Sequence, residues 1–465
     1  MNVSLHSVLH PLLHPLLQSF FNPLLYVAFG MTIWQAWRLH KAQLLLWGTR
    51  LYPTRRDVFH RLASGIVAGI AVSGVIALCA APIVDVPHLQ QFGDASQSQV
   101  LPEGGTQLQA LPAGASQVQV SPGGGLLSQM QWMGALALLL GLIRTRFLNV
   151  YYAAGMISVL ALVAPLVETL PLVQSLPAVA RVFAFLHAVY VPSLLFCAAV
   201  VAIAGGVLTM WRGGDSYCPS LVSHRGAAVG VYVLQVFWAI PLVLAVGDSW
   251  LVVPALFVYD DRATARRREQ RARLSGVAIV VFGLVLSFLC WVGSLYPPSS
   301  WFAAVWALGG AELIVSLLRY AENRRPFLFA NSGSGICVLA VKARSPAALM
   351  GVRAGETVIA VNEQAVNDMS ELYAALRKSP VYCKLQVADP AGERRFVQRS
   401  RYADEPYQLG IVPVVRTAVT APALSPRRGW WTLFAPLEPA AQHGACRGDD
   451  LALSLKADDD PSASH

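Results

Sequence analysis

The sequence predicts an α-helical polytopic membrane bundle of about eight to nine spans, followed by a small α+β domain. Three observations predict it. Hydrophobic residues make up 55% of the 465 and charged residues only 13%, about half the charged share of an ordinary soluble domain. Cations are missing over long distances, with no Lys or Arg from Leu62 to Ile143 or from Leu274 to Leu318. After Pro326 the long apolar runs give way to short alternating segments punctuated by glycine and proline. The mean hydropathy of +0.51 excludes a disordered polymer, a collagen-like chain and a conventional cytosolic enzyme.

A span needs about 20 mainly apolar residues to cross the hydrocarbon core. Leu16–Trp37, Leu62–Val84, Leu126–Ile143, Phe147–Leu170, Val182–Trp211, Ala227–Val246, Leu274–Leu295 and Trp301–Leu318 qualify. The run Leu251–Tyr259, which contains Pro254, is too short for an ordinary span. It reads as a tilted or re-entrant crossing, or as the tail of a bent helix.

Positive charge orients the spans. Arg38, Lys41, Arg50, Arg55, Arg56 and Arg61 lie between the first two, and the densest cluster, Arg262 to Arg273, precedes the penultimate one. With Arg144, Arg146, Arg212, Arg225, Arg319, Arg324 and Arg325, these loops obey the positive-inside rule if the N-terminus is outside and the short run crosses. Arg181 alone falls on the wrong side. The C-terminal domain is then expected in the cytoplasm. The formal charge of +9 fits anionic lipid headgroups at the Arg and Lys loops, and no motif points to nucleic acid.

The other compositional signals are negative. Seven cysteines without CxxC spacing read as packing residues, with neither a disulfide framework nor a metal site. No removable signal peptide is expected, because a basic n-region and cleavage site are missing. The segment 85–126, rich in Gln, Gly, Ser and Pro, is expected to be a disordered outside loop, and 413–465 a disordered tail. Domain boundaries follow: 1–325 membrane domain, 326–412 soluble module, then the tail.

Within the module, Ile336–Val341, Thr357–Val361, Lys384–Ala388 and Arg395–Gln398 read as strands. Ala347–Met350 reads as a helical turn, and Ser370–Arg377 as a short helix capped by Ser370 or Asp368. The runs Arg344-Ser345-Pro346-Ala347-Ala348, Gly351-Val352-Arg353-Ala354-Gly355-Glu356-Thr357-Val358-Ile359 and Val361-Asn362 resemble a bacterial PDZ domain. Glu356 stands where Asp is common, and Glu363 replaces the glycine after Asn362. The latter turn must bend without the residue best suited to it.

That resemblance implies capture of an extended peptide beside a sheet edge, with a backbone nest for a terminal carboxylate. One groove wall would be the helix carrying Leu372, Tyr373 and Leu376. The nest would come from Leu409-Gly410-Ile411, or from Gly333-Ser334-Gly335-Ile336. Each loop can equally be a plain glycine turn, and Tyr373 and Leu376 plain core.

A multi-span domain with one PDZ-like module on its C-terminal side is similar to the MinJ-type topological determinants of cell division in Gram-positive rods. Phe20-Phe21-Asn22-Pro23-Leu24-Leu25-Tyr26, Arg56-Asp57-Val58-Phe59, the run Arg271–Gly276 and Gly310-Ala311-Glu312 carry that resemblance. It implies a non-enzymatic scaffold at the cell membrane, enriched at septum and poles. Its implied partners are DivIVA-like proteins, the MinC/MinD inhibitor and divisome membrane proteins.

Enzymatic readings find less support. An intramembrane metalloprotease needs HExxH, which is absent, and His187 alone cannot hold zinc. Ser64 and His187 could serve a rhomboid-type protease only without that family's glycine pattern. No cofactor is expected. Glu312 and Glu168 in or near spans would suit either a transport path or hydrogen bonds between helices.

Overall fold

The computed structural model describes residues 23–84, 124–167, 182–183, 185–187, 189–224, 227–246, 249–330, 334–378, 382–400 and 409–414. Helices α1 (Pro23–Trp47), α2 (Thr54–Val84), α3 (Gly124–Gly141), α4 (Val150–Val167) and α5 (Val191–Arg212) come first. Strands β1 (Tyr217–His224), β2 (Ala227–Val246) and β3 (Ser249–Ala263) follow, then α6 (Arg268–Leu295). Next come α7 (Ser300–Val305) and α8 (Ala311–Asn323), joined by a π turn at Trp306–Gly310. Among the described residues, five segments are long and apolar enough to cross a membrane: Thr54–Leu78, Val150–Val167, Val191–Arg212, Arg268–Leu295 and Pro297–Asn323.

Several expected spans shift. Residues 16–22 of the first lie outside the described residues, and α1 runs on to Trp47 with Gln35, Arg38, His40 and Gln43 buried. The fifth span begins only at Val191, because Tyr190 is extended and Pro192 sits in the first turn, where its missing N–H costs nothing. Residues 85–123 of the expected outside loop, Glu168, Arg181, Arg225 and 415–465 of the tail are outside the described residues.

The larger correction concerns the sixth span. Ala227–Val246 is a strand, paired antiparallel with β3 from Tyr232↔Ala263 to Val246↔Ser249. The run Leu251–Tyr259 is the second arm of that hairpin. Apolar content cannot separate a buried strand from a buried helix. Here Val229, Val231, Val236, Phe237, Trp238 and Ile240 are all buried, and β-branched and aromatic residues favour a pleated surface. Pro241 and Pro254 would each break a helix, yet they face one another in register.

A sheet edge in an apolar bundle must have its polar groups satisfied or covered. β1 pairs with β2 only as far as Tyr217↔Leu234, and helices cover what remains. Gln35 Nε2 donates to Gln235 O at 2.9 Å, and Val243 N–H donates to Ser73 Oγ at 2.7 Å. On the other arm, Asn149 acts as a substitute peptide group: its Nδ2 donates to Val258 O at 3.0 Å and its Oδ1 accepts Val258 N–H at 2.7 Å.

The C-terminal module contains β4 (Phe329–Ala330), β5 (Ile336–Val341), α9 (Pro346–Leu349), β6 (Thr357–Val361) and β7 (Gln364–Ala365). It continues with α10 (Met369–Lys378), β8 (Tyr382–Ala388), β9 (Arg394–Ser400) and β10 (Ile411–Pro413). Its sheet order is β10-β5-β6-β8-β9, with β7 beside β6. Strand β4 instead pairs with β2 at Val229 and Gly230. Strand β5 is buried on both faces. Ile336 and Val338 enter the module's core, whereas Cys337 and Leu339 join the bundle's core together with Val412 and Val414. Tyr232 Oη donates to Leu339 O, and Ala343 N–H to Leu51 O at 3.1 Å. The module is seated on the hairpin and the first basic loop.

Candidate functional site

Local chemistry builds the module's turns. Ser345 caps α9, its Oγ accepting Ala348 N–H at 3.3 Å with Pro346 in the first turn. Glu356, 3% exposed, accepts Arg353 N–H at 3.0 Å and pairs with Arg395 at 2.7 Å. The exchange from Asp therefore keeps a working carboxylate. Asn362 and Glu363 both adopt positive φ, 47° and 71°, as a two-residue turn between β6 and β7 requires. Asp368 caps α10, its Oδ1 accepting Glu371 N–H at 2.8 Å.

Leu409, Ile411, Leu372 and Leu376 are buried in one hydrophobic core, with Tyr373 partly buried against it. Gly410 has φ +77°, and a Cβ there would lie 2.4 Å from Ser345 Cβ. Leu409 O accepts Ala347 N–H at 3.1 Å, and Gly410 O accepts Lys342 N–H at 2.8 Å. This loop feeds β10, the terminal strand of the sheet. By the alternation of an antiparallel ladder, Gly410 and Val412 turn their polar groups toward β5, and Ile411 turns its own outward. Pro413 has no N–H, so among the described residues the outer edge offers a single complete rung.

The alternative loop has a different setting. Gly335 has φ +90° and its N–H donates to Asn367 Oδ1 at 3.2 Å, while Ile336 pairs with Val358 of β6. Its donor is committed within the module.

Basic segments and buried acids meet at the end of the bundle that carries the module. Arg271, 1% exposed, pairs with Asp261 at 2.8 Å and Glu322 at 3.4 Å. Glu322 Oε1 also accepts the N–H groups of Thr264, Ala265 and Arg266. This carboxylate, which sequence reading passed over, ties the hairpin's return to α8. Glu312 pairs with Arg146 at 3.2 Å and accepts Tyr152 Oη at 2.9 Å, so it bonds between helices. Ser64 Oγ donates to Arg61 O at 3.1 Å.

The sequence pattern of the PDZ domain family matches residues 338–386. The chain is 28% identical over 240 residues to "Cell division topological determinant MinJ" of Bacillus subtilis (strain 168), covering 46% of this chain and 60% of that protein. It is 37% identical over 78 residues to "Probable cell division topological determinant MinJ" of Lacticaseibacillus paracasei and of Lacticaseibacillus casei (strain BD-II), covering 17% of this chain and 21% of each. The chain thus spans less than two thirds of each of these relatives. Their names and the apolar helices agree on a membrane-associated, division-related chain. Residues 338–386 are a PDZ domain, and the chain carrying them is similar to the MinJ topological determinants of cell division.

Proposed function

We propose that this chain is a non-enzymatic, multi-pass membrane scaffold that positions cell-division proteins at septum and poles. The helices confine it to the membrane, and the module, with the basic segments around it, faces the cytoplasm. Its groove, between β10 and α10, takes an extended peptide. Similarity to MinJ implies DivIVA-like, MinD-like and divisome membrane proteins as partners.

One observation carries the reading: a PDZ domain whose terminal strand β10 lies at the sheet edge is seated on an apolar bundle. Such an edge suits strand addition. Its single complete rung suits weak contacts of about micromolar strength, roughly −8 kcal/mol each. Localisation then comes from several contacts acting together. The hairpin arms support the orientation. The arms have 20 and 15 residues and each reaches at least about 50 Å, so one crosses and the other returns, and both ends of the hairpin lie on the basic side. The engagement of Ser64 with a backbone carbonyl and of Glu312 with Arg146 supports structural roles for both.

The test is Tyr373→Asp, a change on a partly buried position of the groove helix, with fluorescent division-site markers imaged in cells. Displaced markers with normal membrane levels of the variant are expected. Unmoved markers would overturn the groove's role. Labelling Arg377→Cys with an impermeant maleimide tests the orientation; more reaction in intact cells than the unsubstituted chain shows would refute it.

A further inference from the structure

A cavity of about 670 Å³ lies where the first basic loop, the end of α5, the start of α6 and the module converge. Arg56, Arg61, Arg212 and Arg268 line it, against Asp57 and Asp215. The two acids do not neutralise it. Asp57 is already spent within the fold: Arg61 Nη2 lies 2.7 Å from it, His40 3.3 Å, and Ser216 Oγ donates to it at 2.6 Å. Asp215 is exposed at the mouth, where water screens its charge.

The arginine donors are only partly used. Arg56 Nε donates to His60 Nε2 at 3.2 Å. Arg268 pairs with Glu269 at 2.5 Å and lies 3.9 Å over the Tyr217 ring. Arg212 stacks 4.8 Å over Trp211. The Nε atoms of Arg61 and Arg212 are both buried without a hydrogen-bond partner. Arg61 is 3% exposed. A buried guanidinium N–H left unpaired is costly, and natural folds rarely keep one idle. Arg61, whose Nη1 donates to Gln35 Oε1, and Arg212 line the same space from different helices.

We propose that this cavity binds a phosphate ester of net negative charge between the bundle and the PDZ domain. A tetrahedral anion presents acceptors in several directions at once, as guanidinium groups on separate elements require. Three apolar segments, Thr54–Leu78, Val191–Arg212 and Arg268–Leu295, begin or end at the cavity, which sets it at headgroup depth. Exposed Trp211 beside it suits a membrane–water interface, and buried Val236 and Trp238 add an apolar wall. Val341 and Ala343 close the module side. Val341 pairs with Ile411, so the occupant borders the strand that pairs with the groove strand.

A phosphate ester can come from an anionic lipid or from a soluble metabolite, and the test separates them. The full chain is placed in phosphatidylcholine nanodiscs containing one fifth phosphatidylglycerol, and retained lipid is counted by native mass spectrometry. In parallel, glycerol 3-phosphate is titrated against the chain in phosphatidylcholine alone. Binding in either arm, weakened about tenfold by Arg212→Gln and unchanged by Arg325→Gln, is expected. Loss in the first arm assigns a lipid, and in the second a soluble ester. Asp215→Asn, which removes a negative charge at the mouth, is expected to tighten binding and guards against a variant that merely misfolds. No binding in either arm, or equal loss with both arginine variants, would overturn the site. Neither result bears on the peptide groove, which Tyr373→Asp tests separately.

Discussion

Gly69 lies so close to Pro241 that a Cβ on the glycine would sit 2.3 Å from the proline's carbonyl oxygen. Gly65, one turn earlier on α2, meets Ala239 O at the same distance. Ser73, one turn later, receives the Val243 N–H. These three small residues let a helix lie directly on the backbone of β2. Pro241 and Pro254 share one rung; by the ladder's alternation Pro241 removes a donor from the edge that the helix covers, and Pro254 removes one from the far edge of β3.

Gly69→Val therefore unseats the hairpin. Overpacking a tight contact costs about 1–3 kcal/mol, and backbone contacts yield less than side chains do. Gly74→Ala on the same helix meets nothing within 4 Å and should leave stability unchanged or slightly raised. Thermal unfolding in detergent, followed by size-exclusion chromatography, compares the two. Equal melting temperatures would refute the close packing.

Arg271 offers a second test. It is enclosed by Asp261, Glu322 and the Leu318 carbonyl. Removing one partner of a buried ion network leaves the others unpaired, at about 3–5 kcal/mol. Arg271→Met should thus abolish folding or lower the melting point steeply. Arg325→Met, at an exposed position in the same basic region, should cost little. A mild effect of Arg271→Met would mean that water reaches the acids.

Glu363 marks a local departure the module tolerates. At φ 71° a non-glycine residue carries about 1–2 kcal/mol of steric cost, against which glycine gives up about 0.5–1 kcal/mol in unfolded-chain entropy. The ion pair from Glu363 to Lys384 at 3.5 Å is exposed and adds little. Glu363→Gly is expected to stabilise the protein by about 0.5 kcal/mol. A lower unfolding midpoint for the variant would show that the turn relies on its side chain.

The PDZ elements were legible because their signals are local. Ser345-Pro346 starts a turn, glycines at 351 and 355 supply positive φ, and Val358 and Val361 face one core. Strands Ile336–Val341 and Thr357–Val361 have the bounds that the sequence predicts. The hairpin was not legible, because Ala227–Val246 and Leu251–Tyr259 are apolar on every face and so lack a period. Their two prolines and the Gly247-Asp248 pair between them were the available signals for a strand–turn–strand. The arginine cavity was hidden for another reason. Arg61, Arg212 and Arg268 are far apart in sequence, and only the packing of α2, α5 and α6 brings them to one space.

Cys337 and Cys383 report separately on docking and on folding. Cys337 belongs to the core shared with the bundle, and Cys383 to the module's own core. Burial pushes the Cys337 thiol up to about 11, against about 8.5 in an unfolded chain. The folded state thus keeps its proton while the unfolded chain loses it. The associated stability is full below about pH 8.5 and is lost as pH rises toward 11. At pH 8, neither cysteine should react with iodoacetamide in the native protein. In rising urea, Cys337 should become reactive first, as the module leaves the hairpin, and Cys383 only when the module itself unfolds. Simultaneous modification would show that bundle and module open as one cooperative unit. Early reaction of Cys383 would contradict the placement of Leu385, Val387 and Leu376 around an intact module core.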